Sequence, residues 1–355
     1  MKSARFLGWD IIRLVSFIPI VMYHLLEAVW GDHRDLFQPV MSTDPLFWNF
    51  IYEFMRVLSF SGFSIFLLTF FLMGFSAERR KVNGPLIALL ALGWIIFCWA
   101  YEGFSHLFIF WDVYPLIAVS LLFIQLVLRF TKIKEIYFGL FGFILTLVPF
   151  WEFSFFSTLS LRTQMVLVGN CEAGLSGWPV LPWMGLAIFA YSGGRWIKPY
   201  IKNTGDEAGL PFTKPERFIW PIVLLISVFL WGAYNKVNLE MLNVFDCLTY
   251  RQSPLEFWAH LIWIVFFIRL SLVPAVQRYL QANFKSVSQF ATSKNFAFVY
   301  FYSFVVTSAI ALPMSSRLQR EPNLFTLYMV VNWIFIEITA RFLLRFFDGR
   351  KAHVQ

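Results

Sequence analysis

Gly8-Trp9-Asp10-Ile11-Ile12-Arg13 and, after an apolar run, Val21-Met22-Tyr23-His24 stand inside one hydrophobic stretch that extends from Phe6 to Trp30. The stretch is apolar enough to cross a bilayer, yet it carries Asp10, Arg13, His24 and Glu27. An ionisable group in hydrocarbon costs at least ~2.5 kcal/mol, so four in one span require partners and a common side to put them on. At about 100° per residue, Arg13 and His24 fall within about 20° of each other, and Asp10 and Glu27 lie on the same side. The spacing predicts a polar stripe along a first membrane helix, with Leu14, Ile18 and Val21 on the opposite face and Pro19 as a kink. Asp10 and Arg13, three apart, can pair within the helix. His24 answers no packing requirement, although a lone His is often a hydrogen-bonded core residue.

The remainder of the chain is of the same character. Of 355 residues, 59% are hydrophobic, 20% aromatic and 14% charged, and the mean hydropathy is +0.65. That composition predicts an all-α integral membrane protein, one domain over 1–355 with a basic C-terminal tail from about residue 347. Runs of roughly 20 apolar residues mark spans. They predict about ten transmembrane helices, near 6–30, 49–77, 85–101, 108–130, 135–152, 178–198, 216–234, 254–273, 294–313 and 323–346. The net charge of +8 could suit nucleic acid, but most Lys and Arg fall in every second loop, on the side of the N-terminus. Positive residues stay in the cytoplasm, so both termini are predicted inside and no nucleic-acid partner is expected. The first span lacks a small-residue cleavage site and reads as retained. The three cysteines form no metal or redox motif. Cys171 and Cys247 fall in predicted outer loops, where an oxidising compartment would permit a disulfide.

Polar residues recur at places where a chamber could form. Glu53 and Arg56 share a face of the second helix at the depth of His24, as a structural pair or as the wall of a cavity. The same helix continues through Phe70-Phe71-Leu72-Met73-Gly74-Phe75-Ser76 and closes on Arg79-Arg80-Lys81. His106 and Asp112 lie near the outer surface between the third and fourth helices. Trp178-Pro179-Val180-Leu181-Pro182-Trp183-Met184-Gly185 leads to Gly193-Gly194-Arg195, and its Pro and Gly predict a broken or bent helix lining a cavity. Glu256 and His260 share a face of the eighth helix. Asn332 and Glu337 lie inside the tenth, where inter-helix hydrogen bonds are expected and Glu337 calls for a partner such as an Arg from another helix.

Asp-x-x-Arg, ten residues and then His, opening a basic-tipped first helix, resembles the signature of the acyltransferase-3 family of multi-span membrane acyltransferases. Arg13 and His24 match its Arg-x10-His pair. The Phe70–Ser76 run resembles the family's aromatic "FF-x-x-SGF" helix, with Met73 where Ser is usual. The Trp178–Arg195 run resembles the related heparan-type acetyltransferase branch. The resemblance implies transfer of an acyl group, acetyl above all, from cytoplasmic acyl-CoA to a hydroxyl of an envelope glycan or lipid-linked sugar. It implies a bacterial inner membrane and no permanently bound cofactor or metal. His24 would be the general base or a covalent acyl carrier. Arg13, about 16 Å along the helix from His24 at 1.5 Å per residue, would line the donor path with Asp10 holding it. Arg79, Arg80 and Lys81 would meet the donor phosphates, and Glu53, Arg56, His106 and Asp112 would form the acceptor-side chamber. A transporter or flippase of a lipid-linked or acidic solute is the alternative from another class, since it too uses buried charges and interrupted helices.

Overall fold

The structure, a computed structural model, describes residues 6–30, 62–76, 113–148, 158–167, 179–204, 210–238, 254–290 and 296–352, with Phe155 and single positions between 84 and 95. Every regular element among them is a helix. They are α1 (Leu7–Trp30), α2 (Gly62–Ser76), α3 (Val113–Phe130), α4 (Glu135–Leu147), α5 (Leu161–Leu167) and α6 (Val180–Thr204). There follow α7 (Lys214–Asn238), α8 (Pro254–Leu270), α9 (Pro274–Phe284) with a 3-10 turn Lys285–Gln289, α10 (Phe296–Arg320) and α11 (Pro322–Ala352). The described parts of the apolar runs therefore lie in helices.

The count of ten crossings is not supported among the described residues. One segment, Leu327–Arg345 of α11, is long and apolar enough to cross a membrane, and there are two if Phe257–Leu270 and Pro274–Val287 are taken as one bent span. For α4 the reason is length. Gly62–Ser76, Pro115–Phe130, Glu135–Leu147 and Phe298–Thr307 are apolar but short. At 1.5 Å per residue the 13 residues of α4 rise about 20 Å, against a hydrocarbon core of about 30 Å.

The chain divides into two compact units, Met1–Ala4 with Phe66–Val265, and Arg5–Ile65 with Phe266–Gln355. In the first, α6 is the central element, and glycines set its contacts. A Cβ on Gly142 of α4 would overlap the carbonyl of Gly185 and the amide of Phe189, and one on Gly185 would overlap the carbonyl of Gly142 and the amide of Thr146. On α2, Gly74 lies against the Tyr191 carbonyl, while Gly194 lies against the carbonyl of Phe71 and the amide of Phe75. Backbones thus cross in direct contact, the small-residue packing that lets helices associate through dispersion alone. The predicted break in this run does not occur. α6 is continuous because Pro179 and Pro182 stand at its start, where a missing N–H is harmless. Aromatic edges fill the remaining space, with Phe66 on Trp183 at 5.1 Å and Phe143 on Trp258 at 4.9 Å between ring centroids.

In the second unit, Phe17, Ile20 and Val21 of α1 pack with Ile65, Val299, Val306, Ile336 and Ala340. Hydrogen bonds from Asn332 to Thr307 (3.0 Å) and from Tyr302 to Thr339 (2.9 Å) join α10 to α11, as the inter-helix reading of Asn332 expects. Arg341, one turn on from Glu337, sits 3.5 Å from its carboxylate. Arg341 also lies over the Phe290 ring at 5.5 Å, and Trp333 stacks on that ring at 6.2 Å.

The close approaches make a direct prediction. Gly142→Val should cost about 1–3 kcal/mol through overpacking against the α6 backbone and lower the melting temperature of the detergent-solubilised protein by several degrees. Gly84→Ala, with open space around it, should leave the melt unchanged or raise it slightly. Equal melting temperatures for the two variants would contradict the packing described.

Candidate functional site

α1 begins one residue after Phe6, whose carbonyl accepts the Trp9 amide at 3.0 Å and the Asp10 amide at 3.4 Å. Phe6 and Trp9 also meet through their rings, at 4.4 Å between centroids. Asp10 thus falls in the first turn, where the unsatisfied amides and the helix dipole favour a negative charge. The residue is wholly buried. The guanidinium of Arg13 donates to it through Nη2 at 2.5 Å, and the Arg13 side chain is 16% exposed. Burial of a charge is expensive unless a partner is in place, and the i, i+3 spacing supplies one from the same helix.

Pro19 lies inside α1 without ending it. Its missing N–H removes the bond that the Val15 carbonyl would otherwise accept, and Val15 is 61% exposed. Leu14 and Val21 are buried, so they do not form an outward face. The wheel gives the reason: both lie within about 40° of Asp10, whereas Val15 lies about 140° away. α1 is consequently covered on most sides, and the polar stripe lies among buried positions rather than across the helix from them.

Because α1 is unbroken from Leu7 to Trp30, positions 13 and 24 keep the helical register. They lie on one side of the helix, about 20° apart and about 16 Å along it. The backbone of His24 belongs to α1, while the side chains of His24 and Glu27 lie outside the described set. Glu53, Arg56, Arg79, Arg80, Lys81, His106, Asp112, Cys171 and Cys247 also lie outside the described residues, as does the side chain of Glu256. The structure therefore brings together Asp10 and Arg13 from the predicted set. His260 is buried within α8.

Comparison with family models, curated proteins and solved structures finds no match.

One arrangement was only half visible in the sequence. Arg195, which closes the Gly-Gly-Arg run of α6, directs Nε and Nη2 at Oε1 of Glu135, 3.4 and 3.3 Å away, and hydrogen-bonds the Tyr191 phenol. Glu135 and Arg195 border an open groove of about 360 Å³ shared with Trp196, Lys198, Pro199 and Tyr200. The Arg195 side chain is 11% exposed and bridges α4 and α6, so its evident role is to clamp the two helices. The motif pointed to Arg195. Nothing in the local sequence pointed to a carboxylate sixty positions away.

The buried pair predicts a non-additive pattern of stability. Asp10→Leu alone should cost about 3–5 kcal/mol by taking the carboxylate from the Arg13 guanidinium, as should Arg13→Leu by taking the guanidinium from the buried carboxylate. The double variant should lose less than the sum of the two single losses, because the ion pair is then removed whole. Chemical denaturation of the three variants in detergent measures this. Single losses that simply add would show that the two groups do not depend on each other.

Proposed function

We propose that the chain is a multi-pass integral membrane O-acyltransferase that moves an acyl group, acetyl above all, from cytoplasmic acyl-CoA to a hydroxyl of an envelope glycan or lipid-linked sugar. The observation that carries the reading is the buried Asp10–Arg13 pair on an uninterrupted α1, with His24 in register eleven residues on. An Arg fixed by a buried carboxylate is costly to keep, and its combination with an in-register imidazole matches the Arg-x10-His spacing. Transport has no need of that spacing.

The membrane setting draws support from the surfaces. α7 exposes Phe218, Ile219, Ile222, Leu225, Ile226 and Phe229 along one face while Ser227 is buried on the other. α11 exposes Leu327, Val331, Ile334, Ile338 and Phe342, and α4 exposes Ile136, Leu140, Phe141 and Ile144. Each such side chain is worth about 1.5–3 kcal/mol when taken out of water, so faces this apolar call for lipid. The basic residues at the inner ends of the apolar segments accord with cytoplasmic termini and a plasma-membrane location.

In the mechanism, His24 takes the proton of the acceptor hydroxyl as its oxygen attacks the thioester carbonyl. The tetrahedral intermediate collapses with cleavage of the carbon–sulfur bond, and the imidazolium returns the proton to the departing coenzyme A thiolate. Free imidazole titrates at about pH 6.5, which suits both transfers near neutrality. Arg13, about 16 Å toward the cytoplasmic end, meets the donor rather than the imidazole, and Asp10 fixes its guanidinium. Arg79, Arg80 and Lys81 complete the donor side through the phosphates, and Glu53, Arg56, His106 and Asp112 belong to the acceptor side.

The roles separate in a binding measurement. His24→Ala should bind acetyl-CoA as the wild type does, whereas Arg13→Ala should bind it about tenfold more weakly, close to 1.4 kcal/mol. Titration of each reconstituted variant with labelled acetyl-CoA gives the comparison. The reverse pattern would sink the assignment of donor and acceptor ends.

A further inference from the structure

The junction between α8 and α9 has a geometry that acyl transfer does not use. Val273 is extended (φ −71°, ψ 128°) and precedes Pro274, the first residue of α9. A residue before proline avoids the helical region, so α8 cannot run on. The chain turns by 82° between Phe257–Leu270 and Pro274–Val287. A helix that leaves the end of an apolar helix at nearly a right angle runs along the bilayer surface when the first crosses it.

The composition of α9 fits that course. At about 100° per residue, Val276, Tyr279, Leu280 and Phe284 share one arc with Asn283 among them, and Arg278, Gln281, Ala282 and Lys285 occupy the other. On the apolar arc Tyr279 is 61% and Phe284 42% exposed, with their rings 6.3 Å apart. Arg278 and Lys285 are exposed as well. No Asp or Glu occurs between Glu256 and Glu321, so the segment that carries Arg269, Arg278 and Lys285 is basic in net charge. Gly8 in the first turn of α1 lies against Ser271 and Leu280, which puts α9 at the N-terminal end of α1.

We propose that α9 is an interfacial helix that binds anionic lipid headgroups of the cytoplasmic leaflet. Tyr279 and Phe284 enter the boundary between headgroup and acyl chain, and Arg278 and Lys285 meet the phosphates. The inference rests on the membrane reading above. It differs from a re-entrant span, which the same bend would also allow.

Spin labels report the depth. Tyr279→Cys, Gln281→Cys and Ile334→Cys are introduced singly with Cys98→Ser, Cys171→Ser and Cys247→Ser, labelled, and reconstituted in phosphatidylethanolamine vesicles with or without phosphatidylglycerol. Collision with oxygen and with a water-soluble nickel chelate then places each label. The expected result is a deep label at 334, a shallow one at 279 and a water-exposed one at 281. Phosphatidylglycerol should draw the label at 279 inward, and Arg278→Glu with Lys285→Glu should abolish that dependence. Labels at 279 and 281 both as deep as 334 would mean a re-entrant span and overturn the proposal. Labels at 279 and 281 both in water, whatever the lipid and with 334 still deep, would overturn it while leaving the membrane reading intact. A label at 334 in water would remove the membrane reading itself, and this proposal with it.

Discussion

A carboxylate buried in the first turn of α1 constrains what surrounds it. Asp10 is wholly buried there, with the Arg13 guanidinium bonded to it and the N-terminal end of the helix dipole beside it. The pairing fixes Arg13 in turn, and the continuity of α1 through Pro19 transmits that position to His24 as a defined rotation and rise. The proposed chemistry depends on this chain of placements. A break at Pro19 would leave the two residues of the motif without a common reference.

Elsewhere the two units hold together by different means. The Phe66–Val265 unit is built on backbone contact, with Gly142 against Gly185 and Gly194 against Phe71 on opposite sides of α6. The Arg5–Ile65 and Phe266–Gln355 unit relies on an apolar core around Phe17 and Val21 and on side-chain hydrogen bonds such as Asn332 to Thr307. Close packing of small residues suits helices whose other faces meet lipid, because no hydrophobic drive brings such helices together there. The exposed apolar face of α7 is the counterpart of that arrangement.

The helices were legible because apolar runs of this length have few other solutions. Their ends were not. α4 stops at Leu147 inside the run read as a span over 135–152, and α8 stops at Leu270 because of a proline four residues on. The α9 segment was read only as an inner basic loop, since its short amphipathic pattern lies below the length of a span. The Asp10–Arg13 pair was visible from spacing, but the covering of α1 on most sides was not: it depends on which helices pack against it. Partners distant in sequence escaped for the same reason. Glu135 and Arg195 meet only because glycines bring α4 and α6 into contact. Glu337 has an Arg partner, Arg341, one turn away on its own helix.

The most direct test of acyl transfer centred on α1 is release of free coenzyme A thiol from acetyl-CoA by the purified protein in lipid, with crude envelope glycan as acceptor. The wild type should release thiol in proportion to added glycan, and His24→Ala should fall by at least about 100-fold, the scale of a lost general base. Release by His24→Ala at the wild-type rate would contradict the account.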